Sequence, residues 1–251
     1  MIVHRLVRPS VLVFDVIETL FSLEPIRHRL VDAGFPPTAL DWWFAEVLRG
    51  GCSLAVLDRF EPFADVATTT LRSLVARAGI AVEESWHDEV VGEMSSLPAH
   101  PDAAPALEMA VNGGMRVLAL TNGSLEVTQE LFARAGLDEM VEHIVSIEES
   151  RRWKPRPEPY LRAVAVANEE PRNVALVAVH AWDIAGHATR ASPPAGQAAP
   201  SAYCRAGWIL TSSPGRSTQW WASCWRSAEA SRSGPGADAA DDVIDGGNGG
   251  Q

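Results

Sequence analysis

Four consecutive apolar residues, Val11-Leu12-Val13-Phe14, run directly into an aspartate, Asp15. A strand that is apolar at successive rather than alternate positions is buried on both faces, so its sheet must carry helices on both sides. The same sign recurs at residues 115–120 and 174–179, and His143–Ser146 reads as a short further strand between them. Helical stretches separate these segments. Residues 102–112 end at Gly113-Gly114, a stop signal, and Ser124 can cap a helix that Gly136 ends. Residues 157–168 place proline in a first turn, and a further helix runs from Trp182 to Arg190. Strands alternating with helices predict an α/β fold, a Rossmann-like parallel sheet with right-handed crossovers. Such sheets bind ligands beyond the carboxyl ends of their strands, which is where Asp15 falls.

Residues 23–95 change character. Residues 39–49 and 63–78 carry helical apolar spacing with little strand signal between them, and Pro25, Pro36-Pro37 and Pro62 divide the block into short helices. A helical insertion directly after the first strand reads as a cap over the sheet's carboxyl edge. The expected division is therefore a core of residues 1–22 and 96–191 with a helical cap of 23–95, in which Trp42-Trp43 belongs to the cap's packing. After residue 191 the pattern fails. Residues 192–251 are rich in Ser, Pro, Gly and Ala, yet hold four of the nine tryptophans. They read as an irregular tail, either disordered or translated out of frame. Synonymous codons exist for residues 192–214 that would encode, two nucleotides along, a peptide with a strand-like segment where the next sheet strand is due. Coding DNA incompatible with that second reading would dismiss it.

A net charge of −11 argues against a nucleic-acid surface. No apolar run is long enough to span a bilayer, and the first residues lack the apolar core of a signal peptide. Cys52, Cys204 and Cys224 show neither metal spacing nor a disulfide framework. The expectation is a cytoplasmic protein with no membrane or nucleic-acid partner.

Four landmarks lie just beyond predicted strands: Asp15, Thr121-Asn122, Lys154 and His180-Ala181-Trp182-Asp183. A doubly wound sheet brings those loops to one edge. Asp15 offers a nucleophile, and Lys154 a cation to keep it ionised and attract an anionic substrate. Thr121 and Asn122 offer hydrogen bonds to a carboxylate or oxyanion. Asp183 can orient or activate a water, or simply cap the helix beside it. His180 reads either as a packed histidine or as a polar pocket residue.

These motifs, Phe14-Asp15-Val16-Ile17-Glu18-Thr19-Leu20, Leu120-Thr121-Asn122-Gly123-Ser124, Lys154-Pro155-Arg156-Pro157-Glu158-Pro159-Tyr160 and His180-Ala181-Trp182-Asp183, resemble those of the haloacid dehalogenase superfamily in order and spacing. The likeness is greatest to its 2-haloacid dehalogenase branch. It implies a hydrolase in which Asp15 displaces halide from a short 2-haloalkanoate, forming an ester that water opens with help from Asp183. It implies catalytic Asp15, Lys154 and Asp183, a pocket that includes Thr19, Thr121, Asn122, Tyr160 and His180, no metal or other cofactor, and a homodimer. Phosphatases of the superfamily carry a second aspartate two residues after the nucleophile; here that position is Ile17. They also pair acids in the last motif to hold magnesium, where this chain has His180. Halide leaves without a proton, so the missing acid does not impede dehalogenation. The branch also grips halide with a cap arginine, whose place falls to Phe44, with Arg49 a distant substitute. The alternatives are a phosphatase of the same superfamily and an inactive product with a damaged C-terminus.

Overall fold

The computed structural model describes residues 8–189 and 208–210. Strand β1 (Val11–Asp15) is buried along its whole length. Four helices follow: α1 (Glu24–Asp32), α2 (Ala39–Val56), α3 (Phe63–Ala78) and α4 (Trp86–Gly92). The chain then alternates through α5 (Ala103–Asn112), β2 (Arg116–Thr121), α6 (Leu125–Ala135), β3 (His143–Ser146) and the short α7 (Ile147–Ser150). It continues with α8 (Pro157–Ala167), β4 (Val174–Ala178), α9 (Ala181–Thr189) and β5 (Trp208–Leu210). All pairings are parallel, in the order β3-β2-β1-β4-β5.

That order sets the site. From β1 the chain first builds outward through β2 and β3, then returns to the other side of β1 for β4. Strand β1 is thus the switch point, where the loops leaving neighbouring strands part and open a crevice. Register places Asp15 level with Leu120 of β2. Successive β1 side chains face opposite ways. Leu12 and Phe14 join one core with Ala119, Val177 and residues of α1–α5, among them Leu30, Trp43, Leu71 and Leu107. Val11 and Val13 join a second core with Leu118, Val145, Leu176, Tyr160 and Ile184. A helix layer on each face explains the unbroken apolar runs.

The segments leading into and out of the α1–α4 block lie side by side. Ser22 N–H donates to Pro98 O (2.9 Å) and His100 N–H to Leu20 O (2.8 Å), and Phe21 bridges antiparallel to Ala99. The block leaves and rejoins the sheet through one narrow neck. Pro25 marks the start of a helix: it occupies the first turn of α1, where a missing N–H costs nothing. Ser124 caps α6 by accepting from Val127 N–H, and Gly136 ends it at φ 66°.

One expectation needs correction. Within the segment read as an irregular tail, residues 208–210 form β5, with Trp208, Ile209 and Leu210 level with Leu176, Val177 and Ala178. Without β5, the edge of β4 would present unpaired N–H and C=O groups. The rest of 192–251, and with it the choice between disorder and a shifted frame, lies outside the described residues.

Helix α2 runs well past Arg49, through Gly50-Gly51, to Val56. Those glycines mark close approach rather than a stop. A Cβ on Gly51 would clash with the Trp153 ring. That ring cannot easily yield, because its Nε1–H donates to Glu61 O (2.9 Å) and it stacks on Phe63 with centroids 5.9 Å apart. Gly51→Ala is therefore expected to destabilise the protein by about 1–3 kcal/mol, the usual range for overpacking. A thermal melt checks this, and an unchanged melting temperature would mean the contact is looser than described.

Candidate active site

Each strand of the central trio ends by delivering a polar group to the crevice. Asp15 is the last residue of β1, Thr121 the last of β2, and Asp183 lies in the first turn of α9, after β4. Lys154 comes from the loop before α8. Its Nζ donates to Asp15 Oδ1 (2.7 Å), to Asp183 Oδ2 (2.7 Å) and to Leu120 O (3.3 Å). All three ammonium donors are used. Thr19 Oγ1 donates to Asp15 Oδ2 (2.6 Å) and accepts from Val179 N–H (3.2 Å), tying the nucleophile candidate to the end of β4. Tyr160 OH donates to Asp183 Oδ1 (2.5 Å).

Charge follows from this geometry. The Lys154 side chain is fully buried. Burial alone would push its pKa down, but Asp15 and Asp183 together outweigh it and hold the ammonium above its usual range. Burial, helped by the Asp15 charge, raises the Asp183 carboxyl against the pull of Lys154. Burial first, then Asp183, pushes the Tyr160 phenol well up, so it remains a donor. Two carboxylates around one ammonium leave the cluster with one net negative charge.

A small cavity of about 20 Å³ adjoins Asp15, room for about one water. Its apolar wall comes from Ile17, Phe44, Leu48, Phe63 and Trp182, and its polar wall from Asp15, Thr121, Asn122 and His180. Asn122 Oδ1 accepts from Lys154 N–H (3.2 Å), and Thr121 Oγ1 accepts from Gly123 N–H (2.9 Å). The eight residues singled out in the sequence thus converge, but not in equivalent places. Thr19 and Lys154 stand behind the wall and hold Asp15, Asp183 and Tyr160 stand behind Lys154, and Thr121, Asn122 and His180 stand on the wall beside Asp15. Thr19 and Tyr160, which the resemblance places in the pocket with Tyr160 also a candidate to position Asp183 or Lys154, brace the Asp15 and Asp183 carboxylates respectively. Phe44 is on the wall, and Arg49 pairs with Glu46 in a groove lined also by Trp42 and Arg77. Arg49 is not at the Asp15 cavity.

Sequence reasoning missed Glu18. It has a left-handed backbone at φ 66°, and its Oε2 lies 2.8 Å from His180 Nε2. His180 in turn stacks on Trp182, with centroids 5.5 Å apart and planes 19° apart. The only sequence signal was the glutamate's place between two pocket residues, Ile17 and Thr19. Among the described residues, no three His, Cys, Asp or Glu side chains converge as ligands for a metal ion, and no helix is long and apolar enough to cross a membrane.

Comparison with known proteins identifies the family. The model of the haloacid dehalogenase-like hydrolases matches residues 9–186. The (S)-2-haloacid dehalogenase of Xanthobacter autotrophicus is 26% identical over 176 residues, 69% of each chain. Haloacetate dehalogenase H-2 of Moraxella sp. (strain B) is 23% identical over 179 residues, 69% of this chain and 78% of that one. The structure of the L-2-haloacid dehalogenase from Xanthobacter autotrophicus with chloropropionic acid covalently bound superposes with a TM-score of 0.67 at 23% identity. It covers 72% of this chain and 74% of that one. With more than half of its length matched, site included, the chain belongs to the haloacid dehalogenase-like hydrolases.

Proposed function

We propose that this protein hydrolyses the carbon–halogen bond of a short 2-haloalkanoate, yielding a 2-hydroxyacid through an ester on Asp15. One observation carries the reading. Asp15 meets a mostly apolar cavity as an anion fixed by Lys154 and Thr19, with no second acid beside it, because Ile17 occupies the wall where a proton donor would stand. Attack at a halogen-bearing carbon needs a carboxylate stripped of water and held in line. Halide then departs as a weak base without a proton. The substrate carboxylate has donors at hand: Asn122 accepts through Oδ1, which leaves its NH₂ group, and Thr121 retains its hydroxyl proton. A three-carbon haloacid exceeds the cavity, so binding entails outward movement of Phe44, Leu48 and Phe63 on α2 and α3. The relatives matched in sequence are named for (S)-2-haloacids and haloacetate, which makes these the substrates to test first.

A magnesium-dependent phosphatase fits less well. Asp183 is turned toward Lys154 and Tyr160, and Glu18 toward His180, so Asp15 is the one carboxylate on the wall among the described residues. A hard cation needs more oxygen ligands than that. The purified protein is expected to release chloride from 2-chloropropionate without added metal, followed with a halide electrode. Silence on that substrate, with magnesium-dependent release of phosphate from p-nitrophenyl phosphate, would overturn the reading.

A further inference from the structure

Lys154 belongs to a loop, residues 151–156, that meets the α2–α3 turn of the cap at successive positions. Arg151 lies over the Phe60 ring, its guanidinium carbon 4.7 Å from the centroid. Arg152 Nε pairs with Asp58 Oδ1 (2.9 Å), and Arg156 Nη2 reaches the same oxygen at 3.5 Å. These ion pairs are open to solvent and contribute little to holding the cap down. Trp153 differs from its neighbours. It comes from the core's loop yet is only 1% exposed, because its ring is inserted into the cap. There it packs on Gly51 of α2, donates from Nε1–H to Glu61 O (2.9 Å), and stacks on Phe63, the first residue of α3.

The next residue in the chain is fixed to the core. Lys154 Nζ is held by Asp15, Asp183 and Leu120 O, and Lys154 N–H donates to Asn122 Oδ1. Adjacent side chains thus tie one loop to two bodies, Lys154 to the carboxylate cluster and Trp153 to the cap. Phe63 stands on the cavity wall with Asp15, and the Trp153 ring backs it.

We infer that Trp153 is a positioning residue, a spacer that sets how far the apolar wall of the cap stands from the Asp15–Lys154 cluster, and so which carbon chains are admitted. This rests on the dehalogenase reading above and deepens it by assigning what limits the substrate.

The geometry gives the reason. The cap block joins the sheet through its neck at residues 20–22 and 98–100, whereas Glu61 and Phe63 lie midway along the block. A block attached only at its neck leaves its middle free to swing, and Trp153 pins that middle to the loop of Lys154. A substrate larger than the cavity must push Phe63 outward. Phe63 yields only by disturbing its stack on an indole that is itself seated against Gly51 and hydrogen-bonded to Glu61 O. Packed interiors resist such displacement, so each added carbon meets rising resistance.

The test compares chloroacetate with 2-chlorobutyrate on the full chain, following halide release. The ratio of the two kcat/KM values, taken on one sample, is independent of the fraction of folded enzyme. Lost stability alone therefore leaves it unchanged. Wild type is expected to favour chloroacetate. Trp153→Phe keeps a ring against Phe63 but loses the donor to Glu61 O. It should move the ratio toward 2-chlorobutyrate by about 3–10-fold, the worth of one hydrogen bond. Trp153→Ala removes the spacer and should move it by about 10–100-fold, within the discrimination a pocket exerts on a single carbon. Gly51→Ala, which displaces the ring while keeping it, should move the ratio the same way. An active wild type whose ratio is unmoved in Trp153→Phe would overturn the positioning role alone and leave Trp153 as packing. A wild type that releases halide from neither substrate would overturn the dehalogenase reading, and the spacer with it.

Discussion

Replacing Lys154 by methionine is expected to destabilise the protein by about 3–5 kcal/mol at neutral pH, the range for removing one partner of a buried ion pair. The substitution is close in volume, so packing changes little. What changes is that Asp15 and Asp183, with side chains 9% and 0% exposed, lose the cation between them. Their mutual repulsion and their burial then both favour protonation. The sign of the pH dependence follows. Acids whose folded pKa is raised destabilise the fold above their unfolded value, about 3.9 for aspartate. The deficit of Lys154→Met should therefore shrink as pH falls toward 4 and be full at pH 7. Adding Asp183→Asn should recover part of it by removing one of the two charges. Urea unfolding of the three proteins at pH 5 and pH 7 checks this. A Lys154→Met protein as stable as wild type at both would mean that the ammonium is not the element holding the carboxylates in place.

Asp15→Asn carries the largest expected loss of activity, about 10⁴-fold or more, as for removal of a nucleophile elsewhere. Here the fold should survive. Lys154 keeps Asp183 as its counter-ion and Leu120 O as an acceptor, and the asparagine amide oxygen can still accept from Thr19 or Lys154. The net charge of the cluster rises from −1 to zero, which removes a repulsion rather than adding one. Unfolding midpoints close to wild type, with no detectable halide release, are the expected pair of results. Substantial residual turnover would move the nucleophile elsewhere.

Much of this was legible in the residues themselves. Unbroken apolar runs at β1, β2 and β4 dictated a sheet covered on both faces, and the alternation of strands and helices dictated parallel order. The converging loops followed, so Asp15, Lys154 and Asp183 could be grouped before any geometry was known. Other features were less visible for physical reasons. The prolines showed that the cap block divides into short helices, but not where each begins, because a first-turn proline and a loop proline are chemically the same residue. The helical spacing read over residues 39–49 stopped short of Gly50-Gly51, because the reason Gly51 is a glycine, the approach of the Trp153 ring, lies about a hundred residues away. Which site residues stand on the wall and which stand behind it depends on side-chain direction, which strand and loop patterns leave open. Thr19 was assigned to the pocket for that reason, and Glu18 was given no role.

The central claim is that Asp15 bonds to substrate carbon and is later attacked at its own Cγ. A single turnover in water enriched in ¹⁸O, with enzyme in excess over 2-chloropropionate, tests it most directly. The predicted result is heavy oxygen in the Asp15 peptide and unlabelled 2-hydroxypropionate, because the product's new oxygen comes from the aspartate. Label in the product with none at Asp15 would mean that water attacks the substrate directly, and would contradict the account.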